Sequence, residues 1–179
     1  CSTAMQQLRL RWHYRSRYEQ LITFSNKNFY DNDLVTFPSS KADGPGIGVD
    51  YYHVDGIFDR KSHTNQKEAE FIVDLIYQNI DKYPDRSLGV VAFSVAQQEL
   101  IDKLVTERRK NTPEKESFFK NDLKEPFFIK NLETVQGDER DTIIFSIAYG
   151  IDSQGRLLHN FGPLNRVGGE RRLNVAVTP

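Results

Sequence analysis

The first residue type that could do chemistry is an arginine at a junction between two predicted elements. Arg15 stands between a strand-like stretch that ends at Tyr14 and a helix-like stretch that starts at Ser16. A guanidinium group forms two parallel hydrogen bonds to phosphate, which the ammonium group of lysine does not. Arg15 is therefore a candidate phosphate ligand, and an ion pair with a nearby acid such as Glu19 is the alternative interpretation.

A second polar segment lies directly before a predicted strand and contains Gln136, Gly137 and Glu139. Glycine gives the turn access to positive φ, and the glutamine amide offers both a donor and an acceptor. The carboxylate of Glu139 could accept hydrogen bonds from a sugar hydroxyl. The alternative interpretation is a polar surface turn with an ion pair between Arg140 and Asp141.

A third segment opens with two glycines and continues as a helix-like stretch. Arg172 sits on the flank of the apolar stripe that Leu173 and Ala176 belong to, and Arg171 lies nearly opposite that stripe. An arginine on a helix flank can reach the edge of a cleft while its stem packs against the protein. Such an arginine could neutralise charge on a transferred phosphoryl group, and a solvated helix start is the alternative.

The elements that must position these segments are alternating strands and helices. A period of two predicts strands, and a period of 3.6 predicts helices. The predicted strands cover residues 8–14, 49–54, 88–93, 127–130 and 142–149, and the predicted helices begin near Ser16, Asn65, Ser94 and Glu170. This alternation favours one three-layer α/β domain over residues 1–179, with a mostly parallel sheet and ligands at the carboxyl ends of its strands.

Three of the predicted helices begin with a residue that can accept a hydrogen bond from the first turn. In each helix a Glu or Gln follows three residues later, which is the spacing of a capping box. The pairs are Ser16 with Glu19, Asn65 with Glu68, and Ser94 with Gln97. Residues 107–124 are highly charged and are predicted to form a solvated loop or a small surface insertion.

Composition limits the class of protein. The 179 residues are 38% hydrophobic and 27% charged, which is typical of a globular chain, and the formal net charge of -1 gives no bulk signal for nucleic-acid binding. No stretch approaches the ~20 apolar residues of a membrane span, and no signal peptide is visible, so no membrane association is expected. The single cysteine, Cys1, excludes an internal disulfide and fits a cytoplasmic location, and four scattered histidines show no metal-ligand spacing.

Taken in order, the three polar segments resemble motifs IV, V and VI of superfamily 1 helicases, most closely those of the Upf1-like group that includes RNA-surveillance and Dna2-like enzymes. The matching residues are His13-Tyr14-Arg15-Ser16, Gln136-Gly137-x-Glu139-x-Asp141 and Arg171-Arg172-Leu173-Asn174-Val175-Ala176-Val177-Thr178. Asn65-x-x-Glu68-Ala69 and residues 88–97 also recur in that group. The resemblance covers essentially the whole chain.

The resemblance implies the second, C-terminal RecA-like domain of an ATP-dependent helicase, with the fold of a P-loop NTPase. It implies that Arg15 and Arg172 contact the γ-phosphate of ATP. Glu139 would hold the ribose, with Gln136 and Gly137 shaping the loop around it. ATP and Mg²⁺ would be held mainly by a first RecA-like domain of the same protein, so the chain is expected to be a fragment.

The resemblance also implies contacts beyond the phosphate. Arg171 would add a further contact to the nucleotide, and Asn131 and Thr134 would lie close to the nucleic-acid backbone. The expected partner is single-stranded or duplex nucleic acid, with DNA favoured over RNA.

A feature that ATPases require is missing from the sequence. The pattern Gly-x-x-x-x-Gly-Lys-[Ser/Thr] does not occur, and the glycine-rich residues 44–48 lack its Lys and its hydroxyl and precede a predicted strand. The phosphate cradle and the Mg²⁺ ligands are therefore expected on another domain. The chain alone is predicted not to hydrolyse ATP.

Two other functions compete with this interpretation. A nuclease would hold magnesium through carboxylates, and Asp55, Asp59, Glu68 and Glu70 are the candidates. No lysine accompanies them at a nuclease-like spacing. A degenerate helicase fold that only docks a partner is the second alternative, and retention of Arg15, Glu139 and Arg172 argues against it.

Overall fold

The computed structural model describes residues 10–14, 16, 18–37, 48–157, 161–165 and 167–177. The chain divides into two compact units, one of Cys1–Tyr52 with Val177–Pro179 and one of His53–Ala176. Arg15, the first part of the predicted strand at 8–14, and residues 43–47 of the glycine-rich turn lie outside the described residues.

The smaller unit contains two short parallel strands and one helix. Strand β1 (Trp12–His13) pairs with β2 (Val35–Thr36), and helix α1 (Glu19–Phe29) connects them. Ile22 and Ser25 are buried, as the predicted inward stripe of the helix requires.

The predicted capping box at the start of α1 is wrong. The helix begins at Glu19, and its N-cap, Tyr18, makes no side-chain cap. The hydroxyl and the backbone N–H of Ser16 lie instead 2.7 and 3.2 Å from Nε2 of His13. Glu19 accepts a hydrogen bond from the hydroxyl of Thr36 at 2.9 Å. Ser16 and Glu19, which would have formed the cap, are instead bonded to His13 and to Thr36 of β2.

The predicted strand at 49–54 is also wrong. These residues form no ladder or bridge with the described part of the chain, and the side chain of Tyr51 is 80% exposed. Aromatic and β-branched residues favour strands because they pack well on a half-buried pleated surface. Residues 49–54 have no neighbouring strand among the described residues, so this preference does not produce a strand here.

The larger unit is built on a three-stranded parallel sheet in the order β4-β3-β5. The strands are β3 (Leu88–Ala92), β4 (Phe128–Asn131) and β5 (Thr142–Ser146), and the helices are α2 (Gln66–Lys82), α3 (Val95–Lys110) and α4 (Gly169–Val177). Val90 of the central strand is in register with Ile129 of β4 and Ile144 of β5. All five residues of β3 are buried, as expected for a continuous apolar run.

Alternate residues along β3 and at Phe93, directly after it, belong to two cores on opposite faces of the sheet. Leu88, Val90 and Ala92 belong to the core formed with α2 and α3. Val91 and Phe93 belong to the core that packs against α4. Helices therefore cover both faces, and the predicted three-layer α/β fold with a parallel sheet is confirmed. Every helix in the described ranges is too short or too polar to span a lipid bilayer.

The caps predicted for α2 and α3 are confirmed. The side chain of Asn65 accepts a hydrogen bond from the backbone N–H of Glu68 at 3.1 Å, and the hydroxyl of Ser94 accepts one from that of Gln97 at 3.2 Å. The side chains of Glu68 and Gln97 do not complete the two boxes, because both are used in contacts with other elements.

The prediction of a solvated loop at 107–124 is wrong for most of that segment. Helix α3 continues to Lys110, and a 3₁₀ helix at Pro113–Phe119 follows it. Phe119 is only 8% exposed and joins the core under α2 and α3. The charged residues form the outer face of this packed segment, where Arg109 pairs with Glu116.

Candidate functional site

The turn after β4 is organised by Asn131, which is buried. Its side-chain oxygen accepts a hydrogen bond from the backbone N–H of Glu133 at 2.9 Å, and its amide nitrogen donates to Gln98 Oε1 at 2.8 Å. Its backbone N–H donates to the hydroxyl of Thr134 at 3.2 Å. Leu132 and Val135 are buried beneath the turn. Asn131 therefore fixes the direction in which the chain leaves the carboxyl end of the strand.

The polar residues that follow are exposed. Gln136 and Gly137 lie on the surface, and Gly137 has φ +83°, so the turn uses the conformational freedom of its glycine. Asp138 pairs with Lys130 of β4 at 2.5 Å. This ion pair holds the segment against the edge of the sheet, and Glu139 comes directly after it with its side chain exposed.

Arg140 and Asp141 do not pair with each other, contrary to one interpretation of the sequence. Arg140 donates to the backbone oxygen of Pro126 at 3.0 and 2.8 Å, just before β4. Asp141 accepts from the backbone N–H of Ser87 at 3.1 Å, just before β3. The two side chains fasten the amino ends of the three strands, and they anchor the polar segment on the side away from the turn.

Helix α4 brings the third segment to the turn after β4. Leu173 and Ala176 pack against the core on that face of the sheet, as predicted. Arg171 is exposed and Arg172 is partly buried. An open groove of about 330 Å³ lies between the helix and the turn. Its lining residues are Leu132, Glu133, Gln136, Arg171, Arg172 and Val175.

The structure thus brings together three of the predicted site residues: Gln136 and, at least 35 positions later in the sequence, Arg171 and Arg172. Gly137 and Glu139 lie on the same loop but do not line the groove. Thr134 is exposed beside it, whereas the side chain of Asn131 is bonded to the turn and to Gln98 of α3.

Sequence reasoning missed three groove residues, Leu132, Glu133 and Val175. Val175 lies three and four positions after the two arginines, so helical spacing could have identified it. Glu133 had no such signal, since its place depends on how the chain turns after β4. It puts a carboxylate in a groove otherwise dominated by two guanidinium groups.

Two of the four carboxylates considered for a nuclease, Asp59 and Glu68, are bonded elsewhere. Asp59 accepts hydrogen bonds from the backbone of Lys61 and the hydroxyl of Ser62, and these bonds lower the pKa of its carboxyl group. Glu68 is bonded to β5 and the residues after it. Among the described residues, no three His, Cys, Asp or Glu side chains are grouped to hold a metal ion. The structure gives no support to a nuclease site.

Two guanidinium groups and an amide in one open groove form a surface suited to the oxygens of a phosphate chain. The parallel sheet with helices on both of its faces is that of a RecA-like domain of the P-loop NTPase class. The model of the family described as an AAA domain (AAA_12) matches residues 1–179, and the chain belongs to this family, which is typical of the C-terminal domains of Upf1-like superfamily 1 helicases.

Two curated relatives are named as ATP-dependent helicases, in keeping with this family. The chain is 38% identical to the "Uncharacterized ATP-dependent helicase MG140" of Mycoplasma genitalium and 36% identical to its homolog of Mycoplasma pneumoniae. Each match covers 94% of this chain and 15% of the relative, so the chain spans about 15% of the length of these curated relatives. The predicted resemblance is confirmed, and helicases of this kind use nucleotide and Mg²⁺ and bind nucleic acid in general.

Proposed function

We propose that the chain is the second, C-terminal RecA-like motor domain of an ATP-dependent helicase. It completes an ATP site whose other half lies on a first RecA-like domain of the same protein. The observation that carries the proposal is the groove in which Arg171, Arg172 and Gln136 meet. The absence of a Gly-x-x-x-x-Gly-Lys-[Ser/Thr] pattern supports a shared site, because the phosphate cradle must come from elsewhere.

Each side chain has a role that its position allows. Arg172, which is partly buried, reaches the γ-phosphate and stabilises charge that develops as the bond to it breaks. Arg171 and Gln136 contact other oxygens of the nucleotide, and the exposed carboxylate of Glu139 accepts hydrogen bonds from the ribose. Arg15 acts as the second arginine at the γ-phosphate. Bound Mg²⁺, held mainly by the first domain, neutralises the phosphate oxygens.

The turn after β4 contacts the nucleic-acid backbone. Thr134 is exposed beside the groove with its hydroxyl bonded to the backbone of Asn131, and Asn131 holds the turn that presents it. Because hydroxyl contacts to phosphate position a strand without reading its bases, this surface suits a motor that moves along any sequence. The partner is single-stranded or duplex nucleic acid, with DNA favoured over RNA, in a cytoplasmic protein.

The experiment measures ATP turnover by the full-length protein with and without its arginines. Arg172→Ala and Arg15→Ala should each lower kcat by about 10³-fold or more, the range found when such arginines are removed from other phosphoryl-transfer enzymes. Arg108→Ala is the matched control, since this arginine lies on the opposite helical layer, where it pairs with Asp74. The purified 179-residue chain, supplied with Mg²⁺ and ATP, should show no turnover.

The outcomes separate the competing functions. If a folded Arg172→Ala or Arg15→Ala protein keeps a near-normal kcat, the role proposed for that arginine at the γ-phosphate is wrong. Turnover by the chain alone that disappears in Arg172→Ala contradicts the shared site. A wild-type full-length protein that binds nucleic acid without hydrolysing ATP favours the degenerate interaction module.

A further inference from the structure

A strained turn lies at the carboxyl end of β5. Ala148 has φ +64° and is fully buried. The backbone N–H of Tyr149 donates to the backbone oxygen of Ile147 at 2.8 Å, so the turn spans only three residues. Residues other than glycine rarely adopt this conformation, and the γ-turn with positive φ is uncommon. Such a turn persists only where its surroundings hold it.

Two side chains at the start of α2, those of the N-cap Asn65 and of Glu68, hold both peptide groups of Ala148. The backbone N–H of Ala148 donates to the two carboxylate oxygens of Glu68, at 2.9 and 3.1 Å. The side chain of Asn65 donates to the backbone oxygen of Ala148 at 3.4 Å. The hydroxyl of Ser146 donates to Glu68 at 2.8 Å. Glu68 thus meets the end of β5 at three hydrogen bonds.

Gln97 fixes Asn65 in turn. The backbone N–H of Asn65 donates to Oε1 of Gln97 at 2.8 Å, and Nε2 of Gln97 donates to the backbone oxygen of Asn65 at 3.2 Å. Both residues are buried. Asn65, Glu68 and Gln97, here called the clamp, therefore tie the ends of two helices to the turn at Ala148. A buried polar network with its bonds satisfied specifies one arrangement of the backbone.

The turn sets the position of Tyr149, the next residue. The ring centroid of Tyr149 lies 5.4 Å from that of Phe58 and 5.6 Å from that of Phe161. Burial raises the pKa of its hydroxyl. A Cβ atom on Gly162 would lie 2.5 Å from that hydroxyl, so the ring packs closely on the segment that leads to α4.

That segment packs in turn against the helix that carries the arginines. A Cβ atom on Gly169, the first residue of α4, would lie 2.1 Å from the backbone oxygen of Leu164, so only glycine permits this approach. Leu164, Leu173 and Tyr149 pack against the same core on this face of the sheet. Continuous contacts therefore run from the clamp, through Tyr149, to the helix beside the groove.

We propose that the clamp positions Arg172 for ATP hydrolysis by holding the strained turn at Ala148. Asn65, Glu68 and Gln97 are positioning residues, since none of them lines the groove. The inference rests on the proposed function of Arg172. From local sequence, these three residues are predicted only to cap helices.

The test replaces Glu68 in the full-length protein and measures the kcat and KM for ATP. Glu68→Ala leaves the backbone N–H of Ala148 without its acceptor, and Glu68→Asp keeps the charge but shortens the reach. Both should lower kcat about 10- to 100-fold, the scale expected when a group is displaced by about 1 Å. Glu68→Gln should retain most of kcat, because its oxygen can accept from Ala148 while its amide donates to the hydroxyl of Ser146.

Val105→Ala is the control for a general loss of stability. Val105 is buried in the core under α2 and α3, away from the clamp. It should lower the melting temperature without lowering kcat at a temperature where every variant is folded. Hydrogen exchange supplies a second readout: Glu68→Ala should speed exchange at 161–173, and Val105→Ala should not. Glu68→Asp replaces Glu68→Ala in both assays if the latter does not fold.

Three results overturn the proposal. The first is unchanged kcat in folded Glu68→Ala or Glu68→Asp. The second is an equal loss of kcat in Val105→Ala at the same loss of melting temperature. The third is faster exchange that stops at residue 149 and leaves 161–173 unchanged. If Arg172→Ala is also active, the proposed function fails; if Arg172→Ala is inactive, only the positioning role fails.

Discussion

Helical spacing around Arg172 explains why this residue could be predicted from sequence. Leu173 and Ala176 bury one face of α4, so the arginine before them falls on the flank beside the groove. The role of Glu68 could not be predicted in this way. Its spacing from Asn65 indicates a cap, but its carboxylate binds Ala148, 80 positions away. Local spacing does not identify a partner that only the assembled sheet brings close.

Asp152 gives a test at the scale of one carboxyl group. Its side chain is buried and accepts hydrogen bonds from the backbone N–H groups of Arg156 and Gln154, at 2.8 and 2.9 Å. The hydrogen bond from Arg156 is the largest of the causes that lower the pKa of this carboxyl group. The bond from Gln154 and the charge of Arg60 lower it further. A lowered folded-state pKa stabilises the protein above the unfolded value of about 3.9, and the stabilisation is lost as pH falls through the folded value.

We therefore expect the melting temperature of Asp152→Asn to be lower than that of the wild type at pH 7. The gap should narrow as pH falls below about 4, where the wild-type carboxyl group takes up its proton. Asp122→Asn is the control, since Asp122 is exposed, and it should match the wild type throughout. A gap that stays constant from pH 7 to pH 3 contradicts this account.

At the scale of elements, sequence patterns predicted the correct element where the local preference of the residues matches their place in the assembled sheet. The apolar run at 88–93 and the caps at Asn65 and Ser94 led to the correct strand and helices. The pattern at 49–54 failed because a strand needs a neighbour. The charged segment at 107–124 was misassigned because its two phenylalanines, not its many charges, decide where it packs.

Phe119 tests the packing of that segment. Truncating a buried phenylalanine typically costs about 3–5 kcal/mol, so Phe119→Ala should lower the free energy of unfolding by an amount in that range. Leu123→Ala is the matched control, since Leu123 lies in the same charged segment but is 42% exposed. Chemical denaturation measures both. Equal, small effects would mean that the segment is the solvated loop predicted from its charge.

At the scale of the whole molecule, the fold alone does not decide the function, since one architecture hosts many activities. The motor interpretation depends on a groove that gathers residues from two motifs and on a phosphate-binding pattern that the chain lacks. The sequence predicted that Gln136 and Arg172 would act together because both occur in recognisable motifs. It could not predict the groove itself, which requires the turn after β4 to lie against α4.

The most direct measurement is a crystal structure of the full-length protein bound to Mg²⁺, ADP and aluminium fluoride, which mimics the γ-phosphoryl group in transfer. The account predicts the guanidinium groups of Arg172 and Arg15 at hydrogen-bonding distance, about 3 Å, from the fluoride ligands. A bound nucleotide whose γ-position is surrounded by other residues, with Arg172 directed into solvent, would contradict it.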